Sequence, residues 1–313
     1  MQLLKLSETV NFMRLRIPAM VLSTVLILGS FVSLGVNSLN WGLDFTGGTL
    51  IEVGYEDSAD LEAIRVQLNE SNFEDAVVQN FGSSQDVLIR IAPRDGVKAV
   101  TIGEQVLAAL RADGTSVDMR RIEFVGPNVG EELTEQGGLA MLVALLCILV
   151  YVAMRFEWRF ALGSVSALAH DVILTLGLFS VLQIEFDLTV LAAVLAVIGY
   201  SLNDTIVVSD RIRENFRKVR IDDTIEIIDL SLTQTLNRTL VTSITTILVL
   251  IALFVWGGQT IHGFATALLF GVFIGTYSSV YVASSVAIAM GVSKEDLIPE
   301  VIEKEGADLD SMP

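Results

Sequence analysis

Charged side chains, cysteine and histidine are all scarce in this sequence. Only 18% of its 313 residues are charged, whereas about 25% is usual for a soluble protein. The one cysteine, Cys147, excludes a disulfide within the chain and a cysteine-based metal site. The two histidines, His170 and His262, are too far apart in sequence to suggest a metal site. The sequence therefore predicts neither a metal nor another bound cofactor.

The sequence lacks the signature motifs of several classes of protein. No glycine-rich phosphate loop, Walker motif or nucleophile elbow is present, so we expect no ATPase and no other enzyme. The formal net charge of -17 argues against nucleic acid as a partner. The acidic residues concentrate in 37–136 and in the tail 291–313, which we expect to lie in water. The tail is more typical of a solvated terminus than of a docking site.

Long apolar runs are abundant, and 52% of the residues are hydrophobic. Six runs approach the roughly 20 residues that a membrane-spanning helix needs. They cover 17–36, 137–155, 160–181, 188–208, 239–258 and 262–288. The first is too long for the apolar region of a signal peptide and no A-x-A-like site follows it, so we expect an uncleaved anchor.

Basic residues predict the orientation of these helices. Three connections carry them: Lys5, Arg14 and Arg16; Arg155 and Arg159; and Arg211, Arg213, Arg217, Lys218 and Arg220. The turns 183–187 and 257–262 carry none. By the positive-inside rule, both termini (1–16 and 291–313) lie in the cytoplasm and 37–136 lies outside, in the periplasm of a Gram-negative cell. We therefore expect a multi-pass protein of the bacterial inner membrane.

The segment 37–136 has the pattern of a small α+β domain. Strands are predicted at 49–55, 76–81, 86–91 and 117–125, and helices at 60–70 and 97–111. Gly82-Ser83-Ser84 is a hairpin signal between the second and third strands. The order β-α-β-β-α-β is that of a ferredoxin-like fold, which by itself indicates no function.

Ionisable residues inside apolar helices are costly and need a reason. Asp204 lies about sixteen residues into the fourth helix, roughly 24 Å from its outer end. Arg238 approaches the same depth from the opposite direction at the start of the fifth helix. An Asp204–Arg238 ion pair could act as a proton relay, or as a static pair that braces two helices; Arg238 could also extend to the interface. Hydroxyl and amide side chains surround the two positions: Ser201, Asn203, Thr205, Thr239, Thr242 and Ser243.

His170 and Asp171 lie near the middle of the third helix. Adjacent residues of a helix point about 100° apart, so both cannot face one partner equally. They form either a second titratable site on a proton route or, for Asp171, a hydrogen bond to a neighbouring helix. His262 is expected in an outer turn.

Small residues predict close helix contacts. Gly271 and Gly275 form a GxxxG pair, and Gly199 continues a stripe from Ala192 and Ala196. The partner helix, in this chain or another subunit, stays open. Before the first strand, the segment Asp44-Phe45-Thr46-Gly47-Gly48 predicts a tight turn, next to Trp41 in the interfacial aromatic belt.

These stretches together resemble the SecF family. The matching signatures are Gly42-Leu43-Asp44-Phe45-Thr46-Gly47-Gly48, Arg155-Phe156-Glu157-Trp158-Arg159-Phe160-Ala161 with His170-Asp171, Gly199-Tyr200-Ser201-Leu202-Asn203-Asp204-Thr205-Ile206-Val207-Val208 with Asp210-Arg211-Ile212-Arg213-Glu214-Asn215, Leu236-Asn237-Arg238-Thr239-Leu240-Val241-Thr242-Ser243, and Gly275-Thr276-Tyr277-Ser278-Ser279. Ser209, where the family commonly has a bulkier apolar residue, is a small departure.

The resemblance implies more than the spacing does. It implies six transmembrane helices as half of an RND-type unit, completed by SecD, with SecYEG and YajC as further partners. It also implies that the proton motive force drives the late translocation of an unfolded polypeptide, with protons as the coupling ion. Asp204 and Arg238 match the family's intramembrane pair.

Two other functions stay open. An RND-type exporter of small molecules or lipids has about twelve spans and two large outer domains, twice what this sequence predicts. A structural subunit would use its polar helix residues only to hold SecD in place.

Overall fold

The structure is a computed structural model, and it describes residues 9–94, 98–112 and 114–292. In chain order the helices and strands are α1 (Arg16–Asn37), β1 (Asn40–Trp41), α2 (Leu43–Thr46), β2 (Gly48–Tyr55), α3 (Leu61–Glu70), β3 (Val77–Phe81), β4 (Ser83–Ile91), α4 (Ala99–Leu110), β5 (Val117–Val125), α5 (Pro127–Arg155), α6 (Trp158–Leu182), β6 (Glu185–Phe186), α7 (Leu188–Lys218), α8 (Thr224–Trp256) and α9 (His262–Ala289). Most of the predicted acidic tail, from residue 293, lies outside the described residues, as does Lys5.

Within the described residues, six helices are long and apolar enough to cross a membrane, as predicted: α1, α5, α6, α7, α8 and α9. Three of them continue beyond the predicted spans. The helix α5 begins at Pro127, inside the predicted outer domain, with proline in its first turn, where its missing N–H costs nothing. The helices α7 and α8 meet at 218–224, well past the predicted ends. The extra turns mix charged and polar side chains with apolar ones, so an unbroken apolar run could not predict them.

The outer domain is a four-stranded antiparallel sheet in the order β3-β4-β2-β5. Its buried core joins side chains of the sheet, such as Ile51 and Val87, to side chains of α3 and α4, such as Leu68 and Val106. This order is that of the ferredoxin-like fold, so the predicted architecture is confirmed. The hairpin is tighter than predicted, because β4 begins directly after Gly82, whose φ is +76°.

Three of the membrane helices form the centre of the bundle. The most apolar stretches of α6, α7 and α9 are 50%, 44% and 56% buried within the protein, whereas those of α1, α5 and α8 are 11%, 6% and 17% buried. The predicted GxxxG pair packs α9 against α7: a Cβ at Gly275 would lie 3.1 Å from that of Ser201, and one at Gly271 would overlap the side chain of Val197. Gly199 has no atom of another described residue within 4 Å of the position that a Cβ would take, so no neighbouring helix in the described part of the chain packs against that position.

The outer domain is joined to the bundle by a second, very short sheet. The strand β1 pairs in parallel with β6, which lies in the turn between α6 and α7, through Asn40 and Trp41 opposite Glu185 and Phe186. The side chain of Arg90 in β4 also donates to the carbonyl of Trp41. We call the end of the bundle that carries the sheet domain the outer end, and the opposite end the inner end.

Candidate functional site: a polar core between the membrane helices

Two buried carboxylates occupy the centre of the bundle. Asp171 of α6 is 0% exposed and Asp204 of α7 is 9% exposed. Both lie in apolar helices, where a charged or polar group must find partners in the protein because the bilayer offers none. Their partners come from α6, α7, α8 and α9.

Asp171 is held by three side chains. Its Oδ2 accepts hydrogen bonds from Ser201 of α7 at 2.5 Å and from Ser278 of α9 at 2.7 Å. Its Oδ1 lies 2.9 Å from Nδ1 of His170. The carboxylate therefore ties three helices together at a point that water does not reach.

His170 faces its own neighbour, which the angle between adjacent helix positions did not suggest. Its ring stacks on Tyr277, with the ring centroids 6.0 Å apart, and its Nε2 is buried without a hydrogen-bond partner among the described residues. The hydroxyl of Tyr277 in turn donates to the carbonyl of Ala19 at 2.7 Å and lies 3.0 Å from the hydroxyl of Ser23. This pair of rings connects the Asp171 site to α1.

Asp204 is held by two hydroxyls. Its Oδ1 accepts from Thr239 of α8 and its Oδ2 from Ser279 of α9, each at 2.6 Å. Each carboxylate oxygen thus has one partner, from a different helix. Because Ser278 and Ser279 are consecutive, α9 contacts both buried carboxylates with neighbouring side chains.

The predicted ion pair between Asp204 and Arg238 is not formed. Arg238 is exposed, and the structure records no ion pair between its guanidinium and any described residue. Adjacent positions of α8 point about 100° apart, and it is Thr239 that faces Asp204. Arg238 instead lies on the surface of the chain, one residue from the side chain that binds the carboxylate.

The predicted surroundings of this pair divide into three groups. Ser201 and Thr239 contact carboxylates, although Ser201 binds Asp171 and not Asp204. The hydroxyl of Ser243 bonds those of Tyr200 and Thr276, at 3.1 and 2.8 Å. The other three side chains contact neither carboxylate. Asn203 is exposed, and the hydroxyl of Thr242 donates to carbonyls of its own helix. Thr205 is buried, and its hydroxyl has no hydrogen-bond partner among the described residues.

Ser278 and Ser279 were missed as functional residues by sequence reasoning. Both belong to the segment 275–279, which resembles the family, but the sequence alone assigned no function to either serine. A signal was present, because the two hydroxyl residues follow the GxxxG pair by three and four residues, about one helical turn. That pair brings α9 close enough to α7 for short side chains to reach the carboxylates.

The glycine-rich segment before β2 does more than turn the chain. It forms α2, whose Asp44 accepts a hydrogen bond from the backbone N–H of Leu188 at 3.0 Å, the first residue of α7. The start of α7 is also capped by Asp187, which accepts from the backbone N–H of Val190 at 2.7 Å. Gly47 has a φ of +65°, which favours glycine at the end of this short helix. The segment therefore anchors the outer domain to the helix that carries Asp204.

Charged side chains surround this anchor. Burial raises the pKa of Glu185 above its ordinary value; the nearby Arg90 guanidinium and the backbone N–H of Leu43 oppose that rise in part. The aromatic rings of Trp41, Phe45 and Phe186 pack on one another beside it. His262 packs on Phe254 at the outer end, in agreement with its predicted place in an outer turn.

Ion pairs organise the inner end. Arg155, at the end of α5, pairs with Asp210 of α7 at 2.5 Å, and Arg213 lies 3.7 Å from Glu157. These contacts fix the short turn between α5 and α6 against the end of α7. No group of three or more His, Cys, Asp or Glu side chains that could hold a metal ion occurs within the described ranges.

Comparisons with known proteins agree with this arrangement. The family model described as protein export membrane protein SecD/SecF, C-terminal, matches residues 105–293, and the SecD/SecF GG motif matches 32–59. The protein translocase subunit SecF of Vibrio alginolyticus is 62% identical, over 100% of this chain and 99% of the relative. That of Escherichia coli O157:H7 is 50% identical, over 96% of this chain and 94% of the relative.

Two solved structures are similar as well. The crystal structure of SecDF from Thermus thermophilus, a translocon-associated membrane protein, has 36% identity and a TM-score of 0.83 over 92% of this chain. SecDF in a super-membrane-facing form has 37% identity and a TM-score of 0.65 over 91% of this chain. This chain spans 39% of each of those longer chains. The chain belongs to the SecD/SecF family of protein-export membrane proteins, in its SecF branch.

Proposed function

We propose that this chain works with SecD in the Sec protein-export machinery, and that protonation of Asp204 couples the proton motive force to the late translocation of an unfolded polypeptide. The observation that carries this proposal is the setting of Asp204. It is a buried carboxylate in a membrane helix, it is held by two hydroxyls from two different helices, and at 9% exposed it is less completely enclosed than Asp171, which is 0% exposed.

Proton binding at Asp204 changes the contacts between helices. An ionised carboxylate only accepts hydrogen bonds, so both Thr239 and Ser279 can donate to it. A protonated carboxyl group donates from one oxygen. One of the two hydroxyls then has to accept from Asp204 and to turn its own proton to another acceptor, which changes the contact of α7 with α8 or with α9. The two protonation states thus favour different helix packings, and a proton gradient can drive a cycle between them.

Arg238 is the counter-ion that a deprotonated Asp204 would take in a second packing of α8. It precedes Thr239, and a rotation of α8 by up to about 100° would exchange the hydroxyl for the guanidinium at Asp204. Asp171 and His170 act as a supporting site: Asp171 shares α9 with Asp204 through Ser278 and Ser279.

An open face of the chain supports SecD as the partner. The stripe of Ala192, Ala196, Gly199 and Asn203 on α7 is exposed, and so are Arg238, Thr242 and Thr245 on α8. Polar side chains in lipid are costly, and small residues let helices approach closely. A second membrane subunit would cover both stripes. SecYEG and YajC are proposed as further partners from the family resemblance.

The proposed orientation places both termini in the cytoplasm and the sheet domain in the periplasm. The basic residues of the connections α5–α6 and α7–α8 lie at the inner end, and the unbasic turns lie beside the sheet domain. Protons would cross through the polar core, and no ATP would be hydrolysed by this chain.

The test is proton-gradient-dependent export in inner-membrane vesicles that contain this chain and SecD at normal levels. We expect Asp204→Asn to remove the stimulation by the gradient while the two subunits still co-purify. The matched control is Asp229→Asn, which changes a buried aspartate of α8 that accepts from the backbone of Met13 at 2.8 Å, outside the polar core. The control should retain the stimulation.

Persistence of the stimulation in Asp204→Asn would overturn the relay. Asp204 would then brace the helices, and the chain would be a structural subunit. Loss of the stimulation in both variants would show a general packing defect and would also count against a specific role of Asp204.

A further inference from the structure

A groove runs between α1 and α9 at the inner end of the bundle, on the surface that faces the bilayer. Its volume is about 530 Å³. Its walls are almost wholly apolar, formed by Ile17, Met20, Val21, Val25, Val286 and Ile288. It lies apart from the polar core, and neither Asp171 nor Asp204 lines it.

One basic side chain stands at the mouth of the groove. Arg16 is the first residue of α1 and lines the cavity. The structure records no ion pair or side-chain hydrogen bond between Arg16 and any described residue. An unpaired guanidinium at the end of an apolar groove needs an anion whose remainder is apolar.

The dimensions of the groove match one leaflet. From Arg16 to Val25 the groove follows nine residues of α1, roughly 13 Å at the usual helical rise. Half of a bilayer's hydrocarbon core is about 15 Å thick. The groove thus begins at headgroup level and ends near the middle of the membrane.

We propose that this groove binds an anionic phospholipid of the inner-end leaflet, with its phosphate on Arg16 and one acyl chain between α1 and α9. Guanidinium groups bind phosphate well, through two parallel hydrogen bonds. The acyl chain fills a cavity that protein side chains leave open. The lipid would hold α1, which is little buried by the protein itself, against the core of the bundle.

The tail of the chain is the main rival occupant. Residues 293–313 follow α9 directly and contain Glu295, Asp296, Glu300, Glu303 and Glu305 among other acids. Such a segment could place a carboxylate on Arg16, but its charged residues would not enter an apolar groove that reaches toward the middle of the membrane. The apolar depth of the groove therefore favours a lipid.

The first experiment measures lipid binding to the purified full-length chain by native mass spectrometry. The probes are phosphatidylglycerol and phosphatidylcholine with the same acyl chains. We expect a preference for phosphatidylglycerol that falls roughly fivefold in Arg16→Gln, the equivalent of about 1 kcal/mol for one basic residue at a membrane surface. Val21→Trp, which fills the groove without a change of charge, should weaken both lipids.

Matched controls distinguish lipid binding in the groove from a general attraction of anionic lipid to basic side chains. Arg14→Gln removes an exposed positive charge that lies near Arg16 in sequence but does not line the groove. Val249→Trp introduces the same large side chain at an exposed position of α8. Neither should change binding. An equal loss in Arg14→Gln and Arg16→Gln, or no preference for the anionic lipid, would overturn the proposal.

A second experiment identifies the occupant in membranes. A photo-reactive benzophenone side chain at Val25, at the deep end of the groove, should acquire the mass of a phospholipid after irradiation, and less of it in Arg16→Gln. Cross-linking to residues 293–313 or to another subunit in place of lipid would show that protein fills the groove, and the lipid site would be wrong.

Discussion

The two faces of α7 carry the same spacing of residues but opposite surroundings. Toward the centre, Val190, Val194, Val197, Ser201 and Asp204 recur every three or four residues, and all are buried. On the other side, Ala192, Ala196, Gly199 and Asn203 recur with the same spacing, and all are exposed. The difference divides one helix into a face whose contacts are complete within this chain and a face that we propose for the contact with SecD.

The largest effect is expected from a larger side chain at the contact between α9 and the buried face of α7. Gly271→Leu forces a side chain into the space of Val197, so the free energy of unfolding should fall by roughly 3 kcal/mol, the upper end of what overpacking costs. Gly199→Leu makes the same change where a Cβ meets no atom within 4 Å, and it should leave the stability of the isolated chain unchanged. Thermal or denaturant unfolding in detergent measures both. Equal destabilisation would mean that the two faces do not differ.

For assembly with SecD, we expect the substitution at the exposed glycine, Gly199, to have a clear effect. Gly199→Leu should reduce the amount of SecD that co-purifies with this chain, because the leucine would separate the small-residue stripe from its partner helix. Ala192→Leu should act in the same way. A variant such as Val255→Leu, at an exposed position of α8 outside the stripe, serves as the control. Full assembly of Gly199→Leu would place the SecD contact on another surface.

A smaller difference is expected between the two carboxylates. Asp204 is 9% exposed and Asp171 is 0% exposed, so a membrane-soluble carbodiimide should modify Asp204 severalfold faster. Peptide mass spectrometry of the labelled protein measures the two rates. Addition of SecD should slow the reaction of Asp204 and leave that of Asp171 unchanged. Faster labelling of Asp171 would contradict the proposed access to Asp204.

The smallest effect concerns the outer end of α7. Burial raises the pKa of Glu185, so the folded protein favours the protonated form. This contribution to stability is present at low pH and is lost as the pH rises through the raised pKa. Glu185→Gln should therefore raise the unfolding midpoint slightly at neutral pH and flatten its decline with pH. Glu104→Gln, at an exposed position, should do neither. A lower midpoint in Glu185→Gln would show that the attraction of Arg90 outweighs burial.

The sequence predicted best those helices and strands whose formation depends mainly on one physical requirement. Apolar length predicted six spanning helices, and the predicted strand 117–125 agrees with Val117–Val125 at both ends. Prediction was weakest at helix ends: α8 begins at Thr224 and not at 239, because its first turns alternate apolar with polar side chains and so interrupt the apolar run while continuing the helix.

The site was predicted in its residues but not in all of its contacts. Asp171 and Asp204 were selected because charge inside an apolar helix is costly. Which neighbour faces them depends on the rotation of α8 and α9, so Thr239 and not Arg238 lies at Asp204. The pairing of β1 with β6 was invisible, because each strand has two residues and about 145 residues separate them in sequence.

The hydrogen bond from Leu188 to Asp44 has a mechanical consequence. A helix is stiff along its axis, and α7 is continuous from this bond to the buried carboxylate and on to the inner ion pairs. Any tilt of that rod displaces its two ends in opposite directions, as a lever does about its pivot. The sheet domain is attached to one end, so a motion of a few degrees in the membrane is carried outside the membrane without passing through a flexible linker.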